Sequence, residues 1–116
     1  MSLARIVFEK KKLEKRYGVE GRVAGLYVEA GYSVAMRFNT PAGTLSFVAK
    51  KEGQMLAVDV VSGSVRVGAD TVKNLASKAS SIKAKPVLIL YGSGPVLTEE
   101  ARKAAQEEGV AIRRVR

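Results

Sequence analysis

The run Met-Leu-Ala-Val-Asp-Val-Val, residues 55 to 61, constrains the fold of this chain more than any other stretch. Apolar residues at consecutive positions put both alternating faces of a strand in the core, so this run reads as a central strand covered on both sides. Pro86 introduces a second such run, Val-Leu-Ile-Leu-Tyr at 87 to 91. Between the two, Asp70 is placed to cap a helix reaching about Lys83, with Val72, Leu75, Ala76, Ala79 and Ile82 inward and Lys73, Ser77 and Ser81 outward. Strand, helix and strand in that order imply a right-handed parallel crossover.

The elements around this unit follow from periodicity and punctuation. Leu3, Ile6, Lys10, Leu13 and Tyr17 recur at spacings of three and four, which predicts a helix from Leu3 to Arg16 closed by Gly18. A second helix follows, from Val19 or Glu20 to Ala30, where Gly31 ends it. Tyr32, Val34, Met36 and Phe38 alternate with Ser33, Ala35 and Arg37 in the period-two pattern of a strand. Thr40 to Gly43 and Glu52 to Gln54 carry turn chemistry, so Thr44 to Lys50 pairs with strands on both sides of it. Near the end, Thr98 caps a helix with Glu99 and Glu100 in its first turn, Gly109 stops it, and Val110, Ile112 and Val115 mark a last edge strand. Gly92-Ser93-Gly94-Pro95 lies between a strand and a helix, yet it lacks the lysine and Ser/Thr of a P-loop.

Composition narrows the chemistry. With neither cysteine nor histidine among 116 residues, disulfides, thiolate nucleophiles, the usual zinc sites and imidazole catalysis are excluded, and any metal must be held by carboxylates. No stretch nears the roughly 20 apolar residues of a membrane span, and the amino terminus does not read as a signal peptide, so the expectation is a cytoplasmic protein with no membrane partner. The scarcity of Asn and Gln together with the lack of Cys points to a thermophilic source. A formal charge of +9 favours a polyanion, and nucleic acid is the expected partner. Lys10, Lys11, Lys12, Lys15 and Arg16 on the first helix are either phosphate contacts or a solvated face. Residues 1–116 read as one domain, with the basic helix of residues 1–17 part of it.

Asp59 stands alone as a charge within its strand, and a buried carboxylate needs a cation, a pairing partner or hydrogen bonds. One reading has it at the end of the buried stretch, accepting from backbone amides. Its neighbours at fixed spacing supply another. Glu20 precedes the pair Gly31-Tyr32 by eleven residues, Ser46-Phe47-Val48-Ala49 ends a strand opposite Asp59-Val60-Val61, and Ser46 and Asp59 are thirteen apart. With the order of elements, this pattern resembles the restriction-endonuclease-like superfamily, and within it the archaeal Holliday-junction resolvases and Mrr-type endonucleases.

The resemblance spans about Glu20 to Val115 and implies an α/β, three-layer core: a mixed sheet of about five strands flanked by helices. It also implies a site in which two carboxylates hold a hard divalent cation and a lysine two residues beyond the second orients the attacking water. This chain departs from that pattern at two positions. Ser46 offers a neutral oxygen where the family has aspartate, and Val61 has no amine. Glu20, Ser46, Asp59 and Val61 are therefore expected to be vestigial positions without an intact catalytic set and without a cofactor. Lys50, two pleats from Ser46, is a candidate substitute for the lysine.

The expected function is binding of nucleic acid, DNA above all, by Arg37, Lys50, Lys51 and Arg66, supported by the Lys10 to Arg16 cluster and Arg22. Two alternatives accompany it: a Mg²⁺-dependent DNA endonuclease or resolvase using Glu20, Asp59 and Lys50, with Glu20 and Asp59 as the metal ligands, and a non-catalytic subunit docking on a repair or nuclease complex. The resemblance further implies a homodimer.

Overall fold

A computed structural model describes residues 2–116. Five strands form one mixed sheet in the order β1 (Ser33–Thr40), β2 (Gly43–Lys51), β3 (Gln54–Ser62), β5 (Lys85–Tyr91), β7 (Ala111–Val115). The first three pair antiparallel, whereas β3, β5 and β7 run parallel. Tight turns explain the antiparallel half. Glu52 and Gly53, both at positive φ, form the two-residue loop that joins β2 to β3. At the other hairpin the Thr40 hydroxyl donates to the Gly43 carbonyl at 2.6 Å and accepts from the Ala42 amide at 3.2 Å.

Helices cover both faces, as the doubly apolar β3 and β5 require. On one face lie α3 (Ala69–Ser81) and α4 (Glu99–Glu108), which enclose Leu45, Val48, Ala57, Leu75, Leu88 and Val110. On the other, α2 (Val19–Glu29) lays Val23 and Ala24 against Phe47, Ala49, Val58 and Ile89. Outside α2 packs α1 (Leu3–Tyr17), none of whose residues is buried. Two glycines let it approach. A Cβ on Gly21 would stand 1.9 Å from the Leu13 carbonyl oxygen, and one on Gly25 would stand 3.2 Å from the Lys10 Cγ.

The helix ends correct one expectation. Thr98 caps α4 by accepting from the Ala101 amide at 3.1 Å, and Gly109 takes the left-handed conformation at its end. Asp70, by contrast, lies within the first turn of α3, and Gly68 occupies the N-cap position without a side-chain bond. The Asp70 carboxylate thus serves the helix as a charge near its positive end.

Two short strands have no counterpart in the sequence pattern. The loops after β3 and β5 pair in parallel through β4 (Arg66–Val67) and β6 (Val96–Leu97). Gly94 permits the approach, since a Cβ there would lie 2.6 Å from the Gly63 carbonyl oxygen. Arg114 closes the Gly92–Pro95 loop by donating to the carbonyls of Gly92 and Pro95 at 2.6 and 2.9 Å. Among the described residues no helix is long and apolar enough to cross a membrane.

Candidate functional site

Ser46 marks a break in the regular sheet. The β2–β3 ladder runs from Lys51 opposite Gln54 to Phe47 opposite Val58 and stops one step short of joining Ser46 to Asp59. On the other side, β1 pairs with β2 on both sides of Arg37, which faces Ser46 and is itself unpaired at a φ of 49°. The strand turns about its own axis here: Leu45 and Val48 both pack in the α3/α4 layer, while Phe47 and Ala49 pack under α2. Ser46 therefore sits in the seam between the two layers, 7% exposed, the one buried polar residue among the described residues.

Polar groups fill the opening. The Ser46 amide donates to Asp59 Oδ1 at 3.0 Å, taking a side-chain acceptor in place of a ladder carbonyl. The Ser46 hydroxyl donates to Glu20 Oε2 at 2.8 Å and accepts from the Val60 amide at 3.1 Å. Asp59 Oδ2 accepts from Lys78 Nζ at 2.6 Å, and the same ammonium donates to the Thr44 carbonyl at 3.0 Å. Arg37 Nε stands 2.7 Å from Glu20 Oε1. The angle is too poor for a hydrogen bond, which leaves that buried oxygen without a well-aligned donor. Both carboxylates are thus matched by side-chain cations, Glu20 by Arg37 and Asp59 by Lys78.

Three of the residues singled out in the sequence meet here: Glu20 from the first turn of α2, Ser46 from β2 and Asp59 from β3. Asp59 accepts from a backbone amide and also pairs with a side-chain cation. Arg37, expected as a nucleic-acid contact, joins them. Lys50 does not. It projects near the opposite end of β2, across from Ser33 and Met55, four residues or roughly 13 Å along the strand from Ser46. Val61 is half-buried, paired with Leu90 and packed against the α3/α4 layer. The amine beside Asp59 comes instead from Lys78, which was not among the residues expected at the site. Its place three residues after the inward Leu75 and one before the inward Ala79 was the available signal, and its stem lies over Gly43, where a Cβ would meet its Cδ at 3.3 Å.

The other basic candidates divide by occupation. Lys10 pairs with Glu29 at 2.6 Å, and Lys51 donates to the Ala30 carbonyl at 2.7 Å beside the Tyr32 ring. Arg22 donates to the Tyr91 hydroxyl at 3.0 Å. Lys11, Lys12, Lys15, Arg16, Lys50 and Arg66 are exposed. A groove of about 740 Å³, mostly apolar but with Gln54, Lys85 and Arg113 in its wall, lies away from the site, between the end of α2 and strands β3, β5 and β7. Tyr27 lines it, and burial, only partly offset by Arg113, raises its phenol above the ordinary tyrosine pKa.

No family model matches this sequence, and no curated protein matches it. Solved structures do match in shape. A crystallised protein of unknown function aligns with a TM-score of 0.70 at 17% identity, covering 84% of this chain and 57% of that one. A repair endonuclease from Pyrococcus abyssi gives 0.61 at 18% identity, covering 78% of this chain and 41% of that one. EndoMS in complex with double-stranded DNA gives 0.63 at 17% identity, covering 83% and 44%. The chain therefore spans about half the length of these structures, and it has the restriction-endonuclease-like fold.

Proposed function

We propose that this chain is a nucleic-acid-binding domain, with DNA as the ligand, in which the nuclease-like fold is kept and the metal-binding chemistry is not. The observation that carries the reading is the 2.6 Å pair between Lys78 and Asp59, at the seam where the fold's acidic site is expected. A hard divalent ion needs several charge-dense oxygens at once. Here Glu20 faces Arg37, Asp59 is engaged by Lys78 and the Ser46 amide, and Ser46 offers only a neutral oxygen. No group of three His, Cys, Asp or Glu suited to a metal ion occurs among the described residues. This donor set does not fit Mg²⁺. The +9 charge, and the likeness in fold to a repair endonuclease and to a protein solved on double-stranded DNA, support DNA as the partner.

Fluorescence anisotropy on a labelled duplex, with EDTA present throughout, tests the binding. Affinity should fall steeply with salt, each phosphate contact contributing about 0.9 to the log–log slope. Binding that is absent, or indifferent to salt, sinks the proposal. One observation favours a second reading, a metal-dependent endonuclease: Lys78 supplies an amine beside Asp59 even though Val61 does not. Cleavage of plasmid or junction DNA with Mg²⁺ or Mn²⁺, abolished by Asp59→Ala, would establish that reading in place of the first. The homodimer belongs to the same proposal, and light scattering decides it; a non-catalytic subunit docking on a repair or nuclease complex is a separate alternative, which copurification of a stable partner without intrinsic DNA affinity would favour.

A further inference from the structure

Arg37 carries an unexplained cost. Among the described residues three other than glycine have positive φ; Glu52 and Lys83 lie in turns, whereas Arg37 lies inside β1. Holding a long side chain in the left-handed region costs about 1–2 kcal/mol. Against that cost stands an ion pair to Glu20, made by a side chain that is 61% exposed. Exposed pairs contribute about 0–1 kcal/mol; with Glu20 24% exposed this pair is half-shielded and offsets part of that cost. The arrangement also places the guanidinium. Nε faces Glu20, Glu20 is held through its second oxygen by the Ser46 hydroxyl, and that hydroxyl is held by the Val60 amide. Both terminal nitrogens of Arg37 are left without a hydrogen-bond partner among the described residues.

We infer that Arg37 is a pre-oriented clamp for one backbone phosphodiester, and that Glu20 is its positioning residue. This rests on the nucleic-acid reading above. A guanidinium presents a planar fork that matches two phosphate oxygens, and a fork already held beside Glu20 by charge loses less rotamer freedom on binding. A carboxylate position of the nuclease-like site is thereby turned to a new use: it holds a protein cation outward toward the polyanion. Lys78, spent on Asp59, keeps the second carboxylate from repelling the same phosphate.

The test compares the wild type with Arg37→Ala, Arg37→Lys and Glu20→Gln on a labelled duplex in EDTA across a salt series. Arg37→Ala should weaken binding about tenfold and lower the salt slope by about one. Arg37→Lys keeps the charge but loses the fork, and should recover only a small part of the affinity. Glu20→Gln separates the ideas most sharply. It makes the protein more positive, so a simple charge argument expects tighter binding, whereas the clamp expects binding several-fold weaker with a reduced slope. Full rescue by lysine, or an Arg37→Ala variant that binds like the wild type, overturns the clamp while leaving DNA binding intact. Unchanged or tighter binding by Glu20→Gln overturns the positioning role. A wild type with no affinity overturns both the clamp and the reading beneath it.

Discussion

Lys78 holds the acidic seam closed. With its side chain 14% exposed against 18% for Asp59, the pair is shielded enough that removing one partner leaves a poorly solvated charge. Lys78→Met should cost about 2–3 kcal/mol in urea unfolding, below the full cost of breaking a fully buried pair, and adding Asp59→Asn should recover most of it. Ser46→Asp would set a third carboxylate between Glu20 and Asp59. That variant should melt earlier than the wild type in EDTA and rise in Tm with Mn²⁺, while the wild type stays indifferent to the ion. Tyr27 gives a pH signature at alkaline conditions. Because its folded pKa is raised, the stability it confers is fully present below the unfolded value of 10.0 and is lost as pH rises through the folded one. Tyr27→Phe should flatten the decline of stability above pH 10.0, as read by denaturant titration at several pH values. Asp59 was legible in the sequence because a charge within an apolar strand demands a partner. Lys78 was not, because which lysine reaches it depends on how α3 docks, and a helix period does not fix that docking.

At the scale of elements, the contact between α1 and α2 turns on one glycine more than on the other. Gly21→Ala would drive a methyl group into the rigid Leu13 carbonyl and should detach α1, seen as loss of hydrogen-exchange protection over residues 3–17 and a lower Tm. Gly25→Ala meets only the flexible Lys10 stem, and a helix-propensity gain of about 1 kcal/mol should leave it near neutral. This difference could not be read from the chain. Both glycines look like ordinary helix-weakening residues until the partner helix is in place. The strands and α4 were more legible, since their alternation, caps and stops are local. The two-residue β4 and β6 were not, because their pairing joins residues thirty apart, Arg66 and Val96, through loops with no repeating pattern.

For the whole molecule, the strand order β1-β2-β3-β5-β7 follows from chain order once the turns and the crossover helices are placed, which is why the fold class was accessible from sequence. The pairing of Glu20 with Arg37 and of Asp59 with Lys78 was not accessible in this way. The two-residue turn between β2 and β3 also has a kinetic consequence. It brings Ser46 beside Asp59 with only a short loop to close, whereas Glu20 and Lys78 must arrive on separately docking helices. This order of assembly predicts that Asp59 stays hydrated through the rate-limiting step and loses its water only as α3 settles. Lys78→Met should accordingly speed unfolding and leave the refolding rate nearly unchanged in stopped-flow experiments, while a substitution that disrupts the Glu52-Gly53 turn should slow refolding.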